Sequence, residues 1–232
     1  MCEVGRRMDQ RQFVAAHEGN LSIRLPDGNV LCTPTMRSKG SLQPADLCVV
    51  DMELNLISGS QRPTSEIRLH FEIYRQRDDV SAVVHSHAPH ATAFALANQP
   101  FPCGVLAEPE LFLGEVALAP FEVPGTEAFA KSILPYVENT NAILLANHGL
   151  VTYGEDLERA LWMTEILDAA CRTVILSLPL GGPRRLSKEQ SRALVEARSR
   201  YGFSDPRDLS DPKADVRDHL LFGRPASDSK TS

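Results

Sequence analysis

Apolar and polar residues alternate along some stretches of the chain and recur every three to four residues along others, and the two periods sort most of it into strands and helices. NLSIRL and NVLCTP alternate on either side of Pro26-Asp27-Gly28, whose turn chemistry predicts a hairpin. DLCVVDM and LNLIS predict a second pair. Val4, Met8, Phe13 and Val14 among charged residues predict a short amphipathic helix within 3–16. From Ser65 the period changes: Ile67, Phe71 and Tyr74 form a helical stripe, with Ser65 as the expected cap and an end near Arg77. Further helices are expected at 88–98, at 126–137 after Pro124-Gly125-Thr126, and at 155–178 up to Gly181-Gly182. VSAVVHSH, EVALAPF and NAILLANHGLVTY read as strands. Strand pairs joined by tight turns, mixed with isolated helices, favour an α/β protein with a central, mainly antiparallel sheet over repeated βαβ units. After Tyr201 the composition shifts to Asp, Pro, Ser, Arg and Lys, which predicts a folded domain over 1–202 and a loosely structured tail over 203–232.

Length and composition narrow the function. At 232 residues and 43% hydrophobic, the chain buries a substantial core. A formal charge of −6 argues against a general nucleic-acid or anionic-membrane binder, which needs an excess of Lys and Arg. The cysteines, Cys2, Cys32, Cys48, Cys103 and Cys171, are odd in number and scattered, so neither a disulfide framework nor a zinc knuckle is expected. No run approaches the ~20 apolar residues of a membrane span, and the N-terminus lacks a signal-peptide stretch. A cytoplasmic protein is the expectation.

The polar punctuation of the strands then raises chemistry. VSAVVHSHAPH carries His85, His87 and His90, and a strand repeats its side-chain direction every second residue, so His85 and His87 share a face. They fit a metal site or a solvated strand end equally well. His148, in NAILLANHG, is compatible with a third ligand or with a turn, and three imidazoles with one open position are the arrangement of a catalytic zinc. Gly19-Asn20-Leu21-Ser22, Thr33-Pro34-Thr35 and Pro63-Thr64-Ser65-Glu66 supply neutral donors and a helix start, the ingredients of a phosphate site as well as of ordinary turns and caps. Glu66 fits either a dipole-favoured first turn or a proton-moving carboxylate.

Taken together GNLSIR, TPT followed by SKG, PTSE, HFEIYRQRDDV, AVVHSHAPHATAFA, PGT, NHGLVTYG, LSKEQ and Tyr201-Gly202 resemble the class II aldolase/adducin family over roughly residues 3–202. The resemblance implies a three-layer α/β/α fold and a divalent-metal-dependent aldolase cleaving a ketose 1-phosphate, or a related hydroxy-carbonyl compound, to dihydroxyacetone phosphate and a short aldehyde. It implies that His85, His87 and His148 bind Zn2+, or Mn2+ or another divalent metal, and that Glu66 ligates it or acts as acid/base. It implies that Asn20, Thr35, Thr64 and Ser65 bind the phosphate of a small sugar phosphate. Tyr201 is implied as a proton donor supplied by a neighbouring subunit of a homotetramer with sites at its interfaces. The family also holds epimerases, dehydratases, decarboxylases and the non-catalytic adducin scaffolds. Glu66, where the epimerases it resembles carry Asp, favours the aldolase side.

Three positions depart from the family pattern. Leu106 stands where a second tyrosine is expected, in a strand after Pro102, and Glu108 or Glu110 is the suggested substitute. Met36 replaces the glycine after TPT. Glu18 precedes Gly19-Asn20 and adds a negative charge beside the expected anion pocket, for which Arg37 or Lys39 is the suggested offset.

Overall fold

The alternating stretches pair into one eight-stranded sheet in the order β4-β3-β2-β1-β5-β8-β7-β6. The strands are β1 Asn20–Arg24, β2 Val30–Cys32, β3 Cys48–Val50, β4 Leu56–Ser58, β5 Ala82–Ser86, β6 Ala117–Ala119, β7 Ala142–Leu145 and β8 Gly149–Gly154. The structure is a computed structural model, and it describes residues 1–201. Gly202 and the expected tail over 203–232 lie outside the described residues. Every ladder is antiparallel except β6 with β7, which are parallel. The helix α5, Glu127–Lys131, lies in the crossover between those two strands, so the sheet is mixed, mostly antiparallel.

The central strands read as unbroken apolar runs because both of their faces are covered. Along β5, Ala82 and Val84 enter one core while Val83 enters the other; along β8, Leu150 enters the first and Val151 and Tyr153 the second. The first core is completed by α1 Cys2–Gln10, α3 Pro89–Leu96 and the long α6 Leu157–Ser177, which buries Leu161, Leu167 and Val174. The second is completed by α2 Ile67–Gln76, with Phe71 and Ile73, and by α5, with Phe129. Each fully buried Leu, Val or Phe contributes on the order of 1.5–3 kcal/mol. This gives the three layers, helices on both faces of one sheet.

Several boundaries differ from the sequence reading. Helix α1 stops at Gln10, and Phe13 and Val14 are buried from an irregular segment in which Gln12 and Ala16 hold φ of 59° and 49°. Helix α5 is shorter than the expected 126–137, with Thr126 capping it through a bond from the Phe129 N–H. Ser65 is exposed and is not the cap of α2; that position falls to Glu66, which makes no side-chain cap bond. No strand forms between Pro102 and Leu106: Leu106 instead precedes a short helix, α4 Ala107–Phe112, and Glu108 sits exposed on it. A further helix, α7 Lys188–Ala197, opens with a capping box in which Ser187 and Gln190 bond each other's backbone N–H.

Candidate functional site

Strand pairing brings the polar residues of the sequence together. Asn20 of β1 stands directly opposite His85 of β5, so the two side chains share a face, the one that Val83 shows to be covered by α2 and α5. His87 lies just beyond the end of β5, its N–H donated to the Phe13 carbonyl at 2.8 Å. His148 comes from the tight connection between β7 and β8, where Asn147 holds φ at 54°. Gly149, which follows His148, does not have a positive φ. A Cβ there would stand 2.5 Å from the Ser86 carbonyl oxygen and 2.7 Å from Cδ2 of His87, so glycine is required for the close approach of β8 to the β5 end.

The imidazoles of His85, His87 and His148 each offer a nitrogen within 4.8 Å of the others, with ring centroids 4.8–5.1 Å apart. Nδ1 of His85 donates to the Leu150 carbonyl at 2.9 Å, which fixes the lone pair on Nε2. That Nε2 lies 3.3 Å from Nε2 of His87. Two nitrogens at ~2.05 Å from one tetrahedral ion are separated by about 3.3 Å, so the pair fits a shared zinc-like ion. Burial, and then the neighbouring imidazoles, push His85 down to about 3 and His148 down to about 4, so both present neutral, ligating nitrogens at neutral pH. The cluster is therefore able to hold a divalent metal, and Phe129 covers it, its ring centroid 5.3 Å from that of His148. His90, the third histidine of the opening run, is elsewhere: its Nδ1 faces Asp168 at 2.9 Å, and Asp168 also accepts the His90 and Ala91 N–H groups at the start of α3.

Glu66 closes the cluster from above. Its Oε2 is 3.2 Å from Nε2 of His85 and its Oε1 3.5 Å from Nε2 of His148. Asn20 Nδ2 donates to the same Oε2 at 2.7 Å. Behind Asn20 runs a buried chain that the sequence reading missed. Asn20 Oδ1 accepts from Nε2 of His70 at 2.6 Å, so Nδ1 of His70 accepts from the Ser22 hydroxyl at 2.6 Å, and Ser22 in turn accepts from the Tyr74 hydroxyl at 2.7 Å. Burial pushes His70 down to about 3, which keeps the ring neutral and the direction of the chain fixed.

The expected anion-binding residues divide. Thr64 is buried, its Oγ1 taking the Glu66 N–H at 3.4 Å, and Ser65 is exposed beside it. Thr35 joins them through backbone pairing, as its N–H meets the Arg62 carbonyl at 2.9 Å and the Thr64 N–H meets the Thr33 carbonyl at 3.0 Å. Asn20 faces Glu66 and His70 rather than this rim. Arg37 is drawn away to Asp46 and does not offset Glu18. Lys39 is buried, pushed down to about 8 by burial, and its Nζ donates to the His17 and Arg37 carbonyls. The partner of Glu18 is His87, whose Nδ1 lies 3.3 Å from Oε2. Glu110, on α4, is buried and accepts the N–H of Gly104 from the segment just before that helix. Tyr201 is half-exposed, at the end of the turn after α7, its ring set edge-on to Phe112 with centroids 5.4 Å apart; the structure does not bring it to the imidazoles of its own chain.

Comparison with known proteins finds relatives in both sequence and fold. A family model described as "Class II Aldolase and Adducin N-terminal domain" matches residues 1–175. A protein of Methanococcus maripaludis named L-fuculose phosphate aldolase is 35% identical over 167 residues, 72% of this chain and 89% of its own length. A protein of Haemophilus influenzae named 3-oxo-tetronate 4-phosphate decarboxylase is 34% identical over 177 residues, 74% of this chain and 83% of its own. The solved structure of an L-fuculose 1-phosphate aldolase superposes with a TM-score of 0.79 at 25% identity, covering 87% of this chain and 94% of that one. No helix among the described residues is long and apolar enough to cross a membrane.

Proposed function

From the premise that the chain belongs to the class II aldolase and adducin N-terminal domain family, we propose that it is a divalent-metal-dependent lyase cleaving a ketose 1-phosphate, or a related hydroxy-carbonyl compound, to dihydroxyacetone phosphate and a short aldehyde. The observation that carries this reading is a carboxylate, Glu66, set between two imidazoles of a converging three-histidine cluster. His85, His87 and His148 would hold the ion, Zn2+ in our reading and Mn2+ as its alternative. A bound divalent ion supplies Lewis-acid stabilisation of the negative charge that develops on a substrate carbonyl oxygen, worth several kcal/mol in a site shielded from water.

The rest is the work of side chains. Once the imidazole nitrogens are turned to an ion they have no proton for Glu66, and its carboxylate is free to move the proton at the carbon beside the substrate carbonyl. The Asn20 amide holds that carboxylate in place. Thr35, Thr64 and Ser65 would take the phosphate beside the start of α2, while Asn20, turned to Glu66 and His70, serves the carboxylate instead. Tyr201 would exchange a proton with the hydroxyl on the departing carbon from a neighbouring subunit, in a cyclic homotetramer whose sites lie at the subunit contacts. Its half-exposed ring, away from the imidazoles of its own chain, suits that assignment.

A second reading, decarboxylation of a phosphorylated 3-oxo sugar acid, is favoured by one observation: Leu106 and the α4 helix stand where the aldolase pattern calls for a tyrosine. Both reactions leave the same kind of carbanion beside a carbonyl. The test is to incubate metal-loaded protein with a panel of ketose 1-phosphates and 3-oxo-4-phosphate acids. Dihydroxyacetone phosphate is read by coupled NADH oxidation, and carbon dioxide by coupled carboxylation. Release of dihydroxyacetone phosphate is expected. Carbon dioxide alone moves the assignment to the second reading, and neither product from a fully metal-loaded protein sinks the lyase proposal in favour of a non-catalytic scaffold.

A further inference from the structure

Glu18 stands out as a charge that the proposed reaction does not use. It sits in the loop between α1 and β1, with its side chain 40% exposed, and its Oε2 lies 3.3 Å from Nδ1 of His87. The same oxygen accepts the Ala15 N–H at 3.0 Å, while the Glu18 N–H returns to the Ala15 carbonyl at 2.9 Å. The carboxylate is thus held by its own loop before it meets the imidazole. The loop is in turn fastened to the site: the Phe13 carbonyl takes the His87 N–H at 2.8 Å, and Lys39 Nζ holds the His17 carbonyl at 2.9 Å. Gly19, at φ of 67°, admits the tight approach, since a Cβ there would come within 2.8 Å of the His85 carbonyl oxygen.

We propose that Glu18 is a positioning residue for the metal centre: it accepts the Nδ1–H of His87, fixing the tautomer and rotation that aim Nε2 of His87 at the ion. The argument is one of complementary nitrogens. With both Nε2 atoms turned to the ion, Nε2 of His87 has no place for a proton, so Nδ1 carries it, and a buried or half-buried N–H in a ligating ring needs an acceptor. His85 solves the same problem with the Leu150 carbonyl. His87 lies past the end of β5, where no ladder carbonyl is available to it, and a carboxylate does the task. A carboxylate also makes the ring a stronger donor to a cation than a carbonyl does. His148 is the contrast: its Nδ1 is buried without a partner.

This inference rests on the metal reading of the histidine cluster, and the experiment separates the two. Zn2+ dissociation constants are measured by chelator competition for the wild type, Glu18→Gln, His87→Ala and the double variant, with Co2+ absorption as a record of ligand geometry. Gln keeps an acceptor for the Ala15 N–H and for Nδ1 but removes the charge. Glu18→Gln should weaken Zn2+ binding about 10-fold, at the low end of the usual 10–100-fold because the group is partly exposed, and should perturb the Co2+ spectrum. The metal-free melting temperature should stay at the wild-type value. In the His87→Ala background the same change should add nothing, since Glu18 acts through that ring. Wild-type affinity in Glu18→Gln, or an equal further loss on top of His87→Ala, overturns the proposal. A wild-type protein that binds no divalent ion instead overturns the metal reading itself.

Discussion

Replacing Ser22 by Ala removes one oxygen from the buried chain that ends on Glu66, and its cost follows from the bonds that oxygen makes. Ser22 has no exposed surface, donates to Nδ1 of His70 at 2.6 Å and accepts from the Tyr74 hydroxyl at 2.7 Å. Without it, the acceptor nitrogen of His70 and the hydroxyl of Tyr74 are left buried and unpaired, at roughly 1–3 kcal/mol each, so the fold should lose about 2–6 kcal/mol. Tyr74→Phe is the control. It removes the outermost donor and leaves the Ser22–His70–Asn20–Glu66 bonds intact, so the loss should be about 0.5–1.5 kcal/mol. Urea unfolding of the metal-free protein reads both, with unchanged slopes expected and the Ser22→Ala midpoint lower by about 1–2 M. Because a freed His70 ring can turn and release the Asn20 amide, Ser22→Ala should also lower turnover in the metal-loaded protein more than Tyr74→Phe does. A Ser22→Ala loss under about 0.5 kcal/mol, or equal losses for the two variants, would refute the directed chain.

Four further outcomes are expected. Glu66→Gln should keep metal and fold while turnover falls ~10²–10⁴-fold, and wild-type turnover would leave Glu66 only its place at the helix start. Gly149→Ala should reduce both stability, by about 1–3 kcal/mol, and metal content measured by mass spectrometry, because its Cβ meets Ser86 and His87 at 2.5 and 2.7 Å; unchanged metal content would mean that the β5 and β8 ends yield freely. The metal-free protein should lose stability as pH falls from about 6.5 towards 3. Buried His70 stays neutral down to about 3 while the unfolded chain takes up a proton, at up to about 1.4 kcal/mol per pH unit, and a flat urea-midpoint profile there would contradict its burial as a neutral ring. Mixed rings of Tyr201→Phe and Glu66→Gln subunits, each nearly inactive alone, should regain activity, and no recovery in proven mixed tetramers would remove the proposed action of Tyr201 across the subunit contact.

What the sequence disclosed and what it withheld follow from the range of the forces involved. His85 and His87 were legible because a period of two is local, and the central strands were legible because burial on both faces leaves continuous apolar runs. The α4 helix over Ala107–Phe112 was not, since a turn and a half with Pro109 inside it offers no period to detect. Ser65 was misread as a cap because it precedes the apolar stripe, yet it is exposed and α2 begins one residue later, where no cap side chain acts and the Ile67 and Leu69 N–H groups meet the Thr64 and Glu66 carbonyls. The pairing of Glu18 with His87 spans sixty-nine residues of chain and depends on the fold of the Phe13–Gly19 loop, so the charge was visible and its partner was not.

The buried chain did leave a signal, of a kind that single periods do not expose. Glu66, His70 and Tyr74 recur every fourth residue, a polar line along α2, and Asn20 and Ser22 recur every second residue along β1. Four helical residues advance ~6 Å and two strand residues ~6.7 Å, so two such lines laid side by side stay in step over one repeat. That match is why the bonds alternate between helix and strand: Tyr74 to Ser22, Ser22 to His70, His70 to Asn20, Asn20 to Glu66. Neither line alone is informative, because polar residues at helical spacing normally mark the solvent face. Only the packing of α2 against β1 turns them inward, and once turned inward they must be satisfied as a set. The Glu66 carboxylate is then oriented not by one neighbour but by the pairing of a helix repeat with a strand repeat, which ties its position to the correct packing of the helix layer on the sheet.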